Sequence, residues 1–225
     1  EQTLLRVKAE SFEQRMIALL LYRRLAHPYL EQFLNDESQA LRNEAVSAIY
    51  DTDALDGPSG KQLVLLNFEE FPFYQQVRLI ASYFRLGSES AAEALLAVCS
   101  NAKLDEAVRV FALEALQRWS MPMDTDPVLG HYRPTFKRAF SKSDLIAKHS
   151  IEILSLVEKE KAPKLASILG KFVMESGISI DPEILRKQVV DLKLNPEVRA
   201  ANLRSLISLN DPADDSLIEK LIEDK

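Results

Sequence analysis

The sequence predicts an all-α fold: about five to six helix pairs stacked into an α-α superhelix. Three observations carry that reading. Apolar residues recur at spacings of three and four almost throughout, and no stretch of Val, Ile and Thr alternates as a strand would. Glycine is scarce, 6 in 225 residues, against the ~7% of an average protein. Turn-rich β structure and phosphate-cradling loops therefore lack their usual material. A short pattern also repeats along the chain, the mark of a repeat architecture.

The first copy is Gln14-Arg15-x-x-Ala18-x-x-Leu21. Next come Leu41-Arg42-x-x-Ala45-x-x-Ala48-Ile49 and Val77-Arg78-x-x-Ala81-x-x-Phe84. Val108-Arg109-x-x-Ala112 follows, with Ala115 and Leu116 behind it. A degenerate copy, Ala147-Lys148-x-x-Ile151-x-x-Leu154, precedes the last, Val198-Arg199 with Asn202 and Leu206. The intervals are irregular, but each fits one helix pair and a loop. Positions three and four apart share a helix face, so the alanines line a stripe that lets a neighbouring helix come close. Upstream runs supply the first helix of each pair: Leu30, Phe33 and Leu34; Leu63, Leu65 and Leu66; Ala94, Leu95, Ala97 and Val98; Leu165, Ile168 and Leu169. A pair cannot bury its apolar face alone, and stacking the pairs makes one continuous core.

Pro28-Tyr29-Leu30-x-x-Phe33-Leu34-Asn35-Asp36, followed by Leu41-Arg42-x-x-Ala45-x-x-Ala48, resembles a HEAT repeat, a unit of the HEAT/armadillo-like solenoids. In that family a turn Asp and the Arg of the second helix hydrogen-bond along the solenoid, and Asp36 and Arg42 match those positions. Arg15, Arg78, Arg109 and Arg199 are kept without the Asp, where Ala9, Pro72, Lys103 and Lys193 stand instead. A wider resemblance covers residues 40 to 135 and is most specific at Trp119-Ser120-Met121-Pro122 and Asp126-Pro127-Val128-Leu129-Gly130-His131-Tyr132-Arg133-Pro134. It is similar to the HEAT-repeat region of large secreted bacterial multidomain proteins. These join a sorbosone/glucose dehydrogenase-like β-propeller, helical repeats and often a c-type cytochrome domain. The resemblance implies a secreted or periplasmic location and a redox parent. It puts no redox chemistry into this segment.

Glu1-Gln2-Thr3-Leu4-Leu5 shows no initiator Met or signal segment, and Ile222-Glu223-Asp224-Lys225 stops a few residues into an amphipathic run. The expectation is one solenoid domain over 1–225, cut from a longer chain. Apolar ends (Leu4, Leu5, Val7; Leu217, Leu221, Ile222) would then give weak end-to-end self-association, since solenoids need polar caps.

Composition narrows the functions. A net charge of −6 argues against a nucleic-acid partner, and no apolar run approaches the ~18 residues of a membrane span. One cysteine excludes an internal disulfide and every Cys-x-x-Cys motif. Cys99 reads as a buried, inert thiol, and His27 and His149 as structural. His131, following Asp124 and Asp126, reads either as part of a divalent-metal cluster or as part of a polar loop whose aspartates cap turns. No catalytic residue, cofactor or metal ligand is assigned.

Pro122, Pro127, Gly130 and Pro134 break the repeat at about 120–134, yet the tract is too apolar for a solvated linker. An ordered loop is expected there, anchored by Trp119 and Tyr132, with Arg133 leading into a basic helix that holds Lys137, Arg138, Lys142 and Lys148. Phe136 and Phe140, four apart, would share one face of it. That helix reads either as a docking patch for an acidic surface or as a packed aromatic face with a solvated basic side. Phe68-x-x-Phe71-Pro72-Phe73-Tyr74 reads either as a ligand cleft or as an apolar turn. The expected interaction surface comprises Trp119, His131, Tyr132, Arg133, Lys137 and Arg138. The expected function is a scaffold that docks or spaces redox domains. Its partners are neighbouring domains of the same chain or another protein. The alternative lends residues 120–142 to the active site or electron-transfer path of a dehydrogenase-type parent.

Overall fold

The structure, a computed structural model, describes residues 11–121, 123–135, 138, 140–178, 181–209 and 219. It is all-helical, with no strand among the described residues; a lone bridge pairs Thr125 with Tyr132. The terminal residues Leu4, Leu5, Val7, Leu217, Leu221 and Ile222 lie outside the described residues, as do Phe136 and Lys137. Contacts gather the chain into two compact units, Glu1–Ser141 and Lys142–Lys225, where the sequence reading takes 1–225 as one array.

In the first unit α1 (Phe12–Arg24) opens with a capping box. The Gln14 amide donates to the Ser11 hydroxyl, and the Ser11 amide donates to the Gln14 side chain. Two donors orphaned by the first turn are thereby satisfied. α1 buries Leu19 and Tyr22 and packs on α2 (Gln39–Asp51). The chain then passes through the short α3 (Pro58–Gln62) to α4 (Phe73–Leu86), α5 (Glu89–Ser100) and α6 (Glu106–Gln117). α2 packs on α4, and α4, α5 and α6 pack on one another. Ala45, Ala48, Ala81 and Ala112 are at most 1% exposed, so the small-residue stripe does face neighbouring helices.

Two of the expected first helices are 3-10 turns instead. Leu30 and Phe33 lie in Pro28–Phe33, and Leu63 and Leu65 in Leu63–Leu65, where Leu63 is buried and Leu65 exposed. The second stretch is too tightly folded for a long helix. A Cβ at Gly60 would fall 1.8 Å from the Leu55 carbonyl oxygen, so only glycine permits the approach.

In the second unit α7 (Lys142–Lys159) leaves helical geometry at His149, with φ −118° and ψ 16°. The degenerate repeat copy fails there: Ile151, two residues past the break, is exposed instead of continuing the core stripe. α8 (Pro163–Glu175), α9 (Pro182–Val190) and α10 (Pro196–Leu209) each begin with proline, whose missing N–H costs nothing in the first turn. α10 packs on α8 and α9. Where α8 meets α10, a Cβ on Gly170 would lie 2.6 Å from Ser205 Oγ.

Two of the repeated arginines share a task other than the expected one. Arg109 Nε donates to the Cys99 carbonyl at the end of α5 (2.8 Å), and Arg199 Nε donates to the Val189 carbonyl at the end of α9 (2.8 Å). The two turns are built alike. The amide of Lys103 donates to Asn101 Oδ1, and that of Lys193 donates to Asp191 Oδ1. The matched residues Asp36 and Arg42 do bond, but through the Asp36 main chain, while the Asp36 carboxylate reaches back to the preceding copy. The Asp36 carboxylate receives Arg15 (2.9 Å) and the Ser38 amide (2.8 Å), so Arg42 donates to the Asp36 main-chain carbonyl instead (2.6 Å). Arg78 differs again, reaching the Asp51 carboxylate at 3.4 Å.

Arg109 is buried, and its side-chain bond satisfies the carbonyl of the fully buried Cys99. Arg109→Ala should lower unfolding stability by about 1.5–3 kcal/mol. Arg78→Ala should cost less, about 1 kcal/mol, because its long 3.4 Å ion pair keeps some access to solvent and its loss buries no bare helix end. Chemical denaturation of the two variants checks the order, and equal midpoints would count against the carbonyl-capping role.

Candidate functional site

α6 ends at Gln117, and the chain beyond it forms an irregular hairpin. Main-chain bonds join the Asp126 amide to the His131 carbonyl, the Arg133 amide to Asp124, and the Thr135 amide to Met123, all at 2.8–2.9 Å. Asp126 shapes the tip. Its Oδ1 accepts the amides of Val128 (2.9 Å) and Leu129 (2.8 Å), an Asx turn completed by Gly130 at φ +71°. Of the two readings of this loop, capping is what the Asp126 carboxylate does. No group of three or more His, Cys, Asp or Glu that would hold a metal occurs among the described residues.

Asp126 is buried, and its Oδ1 also accepts the Tyr50 hydroxyl at 2.6 Å. Burial works against its ionisation. The Tyr50 hydroxyl, the two amides and the Arg133 charge outweigh burial and hold the carboxyl below its ordinary range. Burial, then the bond to Asp126, pushes the Tyr50 phenol far up, so it remains a donor.

Arg133 closes this cluster. Its guanidinium donates to the carbonyls of Tyr50 (2.6 Å) and Thr52 (2.8 Å), on either side of the last residue of α2, and approaches Asp126 Oδ2 at 3.4 Å. The same group lies 5.4 Å from the Tyr50 ring centroid. A cation at a helix carboxyl end also meets the negative end of the helix dipole. Arg85, from the last turn of α4, returns a bond to the Arg133 carbonyl (2.9 Å). Burial, then the nearby Arg133 charge, lowers the Arg85 pKa.

Arg138 forms a second clamp. Its guanidinium lies 3.9 Å from the Phe84 centroid and 4.2 Å from the Trp119 centroid. It donates to the carbonyls of Phe84 and Trp119. Burial lowers its pKa to about 10, still far enough above neutrality to keep the charge. Trp119 is 1% exposed, meets the Phe84 ring edge-on at 6.2 Å and donates from Nε1 to the Phe140 carbonyl.

Trp119 is thus an anchor, as expected, but it lies beneath the surface. The second anchor is Arg133, while Tyr132 is 76% exposed. The expected basic helix is not formed at Arg138 or Phe140; it starts at Lys142, and α7 carries Lys142 and Lys148. Arg133 and Arg138 both serve carbonyls of other elements, so their backbone follows those partners. His131 is exposed. A cavity of about 30 Å³ lies among Ile80, Phe84, Phe111, Glu114, Arg118 and Met123. It has room for a water or two, not for a substrate.

No protein-family model and no curated protein matches the chain.

Elsewhere, Cys99 is buried with Sγ 3.7 Å from the Arg109 carbonyl oxygen. His27 accepts the Tyr29 amide and stacks on Tyr22. In the Phe68–Tyr74 tract Phe71 is buried, while Phe73 and Tyr74 face solvent. The Tyr50–Asp126–Arg133 cluster has no sequence signal, because Tyr50 and Arg133 stand 83 residues apart. Gly87 did offer one, being a glycine directly after a helix.

Gly87 ends α4 at φ +60°, and a Cβ there would lie 2.8 Å from Arg138 Cγ. Gly130 and Gly177 also have positive φ, but a Cβ at either would meet nothing within 4 Å. Gly87→Ala should therefore destabilise more than Gly130→Ala or Gly177→Ala, which cost only the left-handed strain of about 1 kcal/mol. Thermal melts of the three variants check this.

Asp126 holds its charge more firmly folded than unfolded. The stability it contributes is present above the ordinary carboxylate pKa of about 3.9 and is lost as pH falls through the lower folded value. The melting-temperature gap between the wild type and Asp126→Asn should be widest above about pH 5. It should narrow steadily in acid. A gap constant from pH 7 to pH 3 would refute the assignment.

Proposed function

We propose that the chain is a HEAT/armadillo-like scaffold that docks or spaces other domains and carries no chemistry of its own. One observation supports this best. The tract that interrupts the repeats spends its polar groups holding itself in place, yet it turns Met121 and Tyr132 outward, 61% and 76% exposed. Met and Tyr on a firmly mounted loop are residue types enriched at protein interfaces. The proposed contact surface is therefore the outer side of 121–132, with His131 beside Tyr132. Lys137 stays in the proposal only by its neighbourhood in sequence, while Trp119, Arg133 and Arg138 belong to the mounting.

The partner proposed is a neighbouring domain of the same chain or another protein. The resemblance to HEAT regions of secreted bacterial redox proteins supports a secreted or periplasmic setting. No described helix is long and apolar enough to cross a membrane. The inward-facing Trp119, Arg133 and Arg138 lend no support to a role in a parent's active site.

A photoreactive phenylalanine analogue at position 132 of the full-length protein should crosslink to one defined partner segment. The same analogue at position 65, where Leu65 is 75% exposed, should not. Equal crosslinking at both positions, or none at 132, would remove the basis of this reading.

A further inference from the structure

Helix α1 has two unlike faces. Arg15, Leu19 and Tyr22 are buried on one side. On the other, Glu13, Ile17, Leu20 and Arg24 are all exposed and follow at steps of four, three and four. That is the spacing at which two helices interlock along a seam. Leu21 lies exposed beside it. The remaining cations of the helix are engaged: Arg15 with Asp36 and Glu37, Arg23 with Glu44 and Asp51. Glu13 and Arg24 join no salt bridge among the described residues.

The order along the seam is acid, apolar, apolar, base. A twofold axis midway between Ala18 and Leu19 sets Ile17 against Leu20 of a second copy and Glu13 against its Arg24. Parallel pairing would instead set like charge on like. We propose that α1 is a self-complementary interface through which two copies of this chain associate by antiparallel pairing of their α1 helices. This rests on α1 alone and is independent of the loop surface proposed above. Thirteen residues of helix span about 20 Å, which is too short for the ~800 Å² per partner of a standard interface. The dimer is accordingly weak and concentration-dependent.

Sedimentation equilibrium of the whole chain tests it. The average mass should rise with concentration, and Ile17→Glu should abolish the rise. Circular dichroism should show the helicity of that variant unchanged, because position 17 faces solvent. Glu13→Lys sets cation against cation twice per dimer and should weaken association roughly fivefold. Adding Arg24→Glu to it should restore the original constant. The proposal falls if the chain stays monomeric into the millimolar range, if association survives Ile17→Glu, or if the double charge swap fails to recover it.

Discussion

An α-helix ends in carbonyls that no amide of its own can reach, and burying such an end is costly unless another group donates to it. In this chain that group is repeatedly a guanidinium. Arg109 serves the end of α5, Arg199 the end of α9, Arg133 the end of α2, and Arg138 the end of α4. The planar fork suits the work, since one side chain reaches two carbonyls at once, as Arg133 does at Tyr50 and Thr52. Lysine has three donors too, but they radiate from a single nitrogen and lack the fixed two-pronged reach of the guanidinium.

This constraint explains why the Val-Arg-x-x-Ala pattern recurs with a variable turn in front of it. The alanine side of the pattern sets helix spacing, and in the copies of Arg109 and Arg199 the arginine closes the helix before it. The acid expected one turn upstream is dispensable because the acceptor is main chain, which every residue supplies. Asn101 and Asp191 then need only shape the turn, which they do through the same side chain-to-amide bond.

The helices and their buried stripe were legible in the sequence because both are periodic: Ala45, Ala48, Ala81 and Ala112 announce themselves by spacing. What escaped was non-local or depended on tight backbone approach. Nothing near Arg133 in sequence names Tyr50 as its partner. Nothing near Leu63 shows that Gly60 folds against Leu55 and cuts the expected helix to a 3-10 turn. The basic run from Arg133 to Lys148 was legible as charge, and as helix only from Lys142 onward. Its first members are drawn to carbonyls on other elements, and a regular helix would have turned them elsewhere.

Charges buried in this way cost desolvation, visible in the lowered pKa of Arg85 and Arg138. Apolar residues of similar volume would fill the same space with less expense, so stability alone does not account for them. What the arginines add is uniqueness of position. Arg133 finds two carbonyls, a carboxylate and a ring only in one placement of the hairpin. Arg138 adds two aromatic faces, and Gly87 leaves the space its side chain needs. A slipped hairpin would strand Asp126 and two guanidiniums without partners, and each would be costly. The tract is therefore held to one arrangement by the penalty on every other. Such a mount keeps an exposed Tyr132 at a fixed point above the helices, where an apolar patch without directional bonds would let it drift.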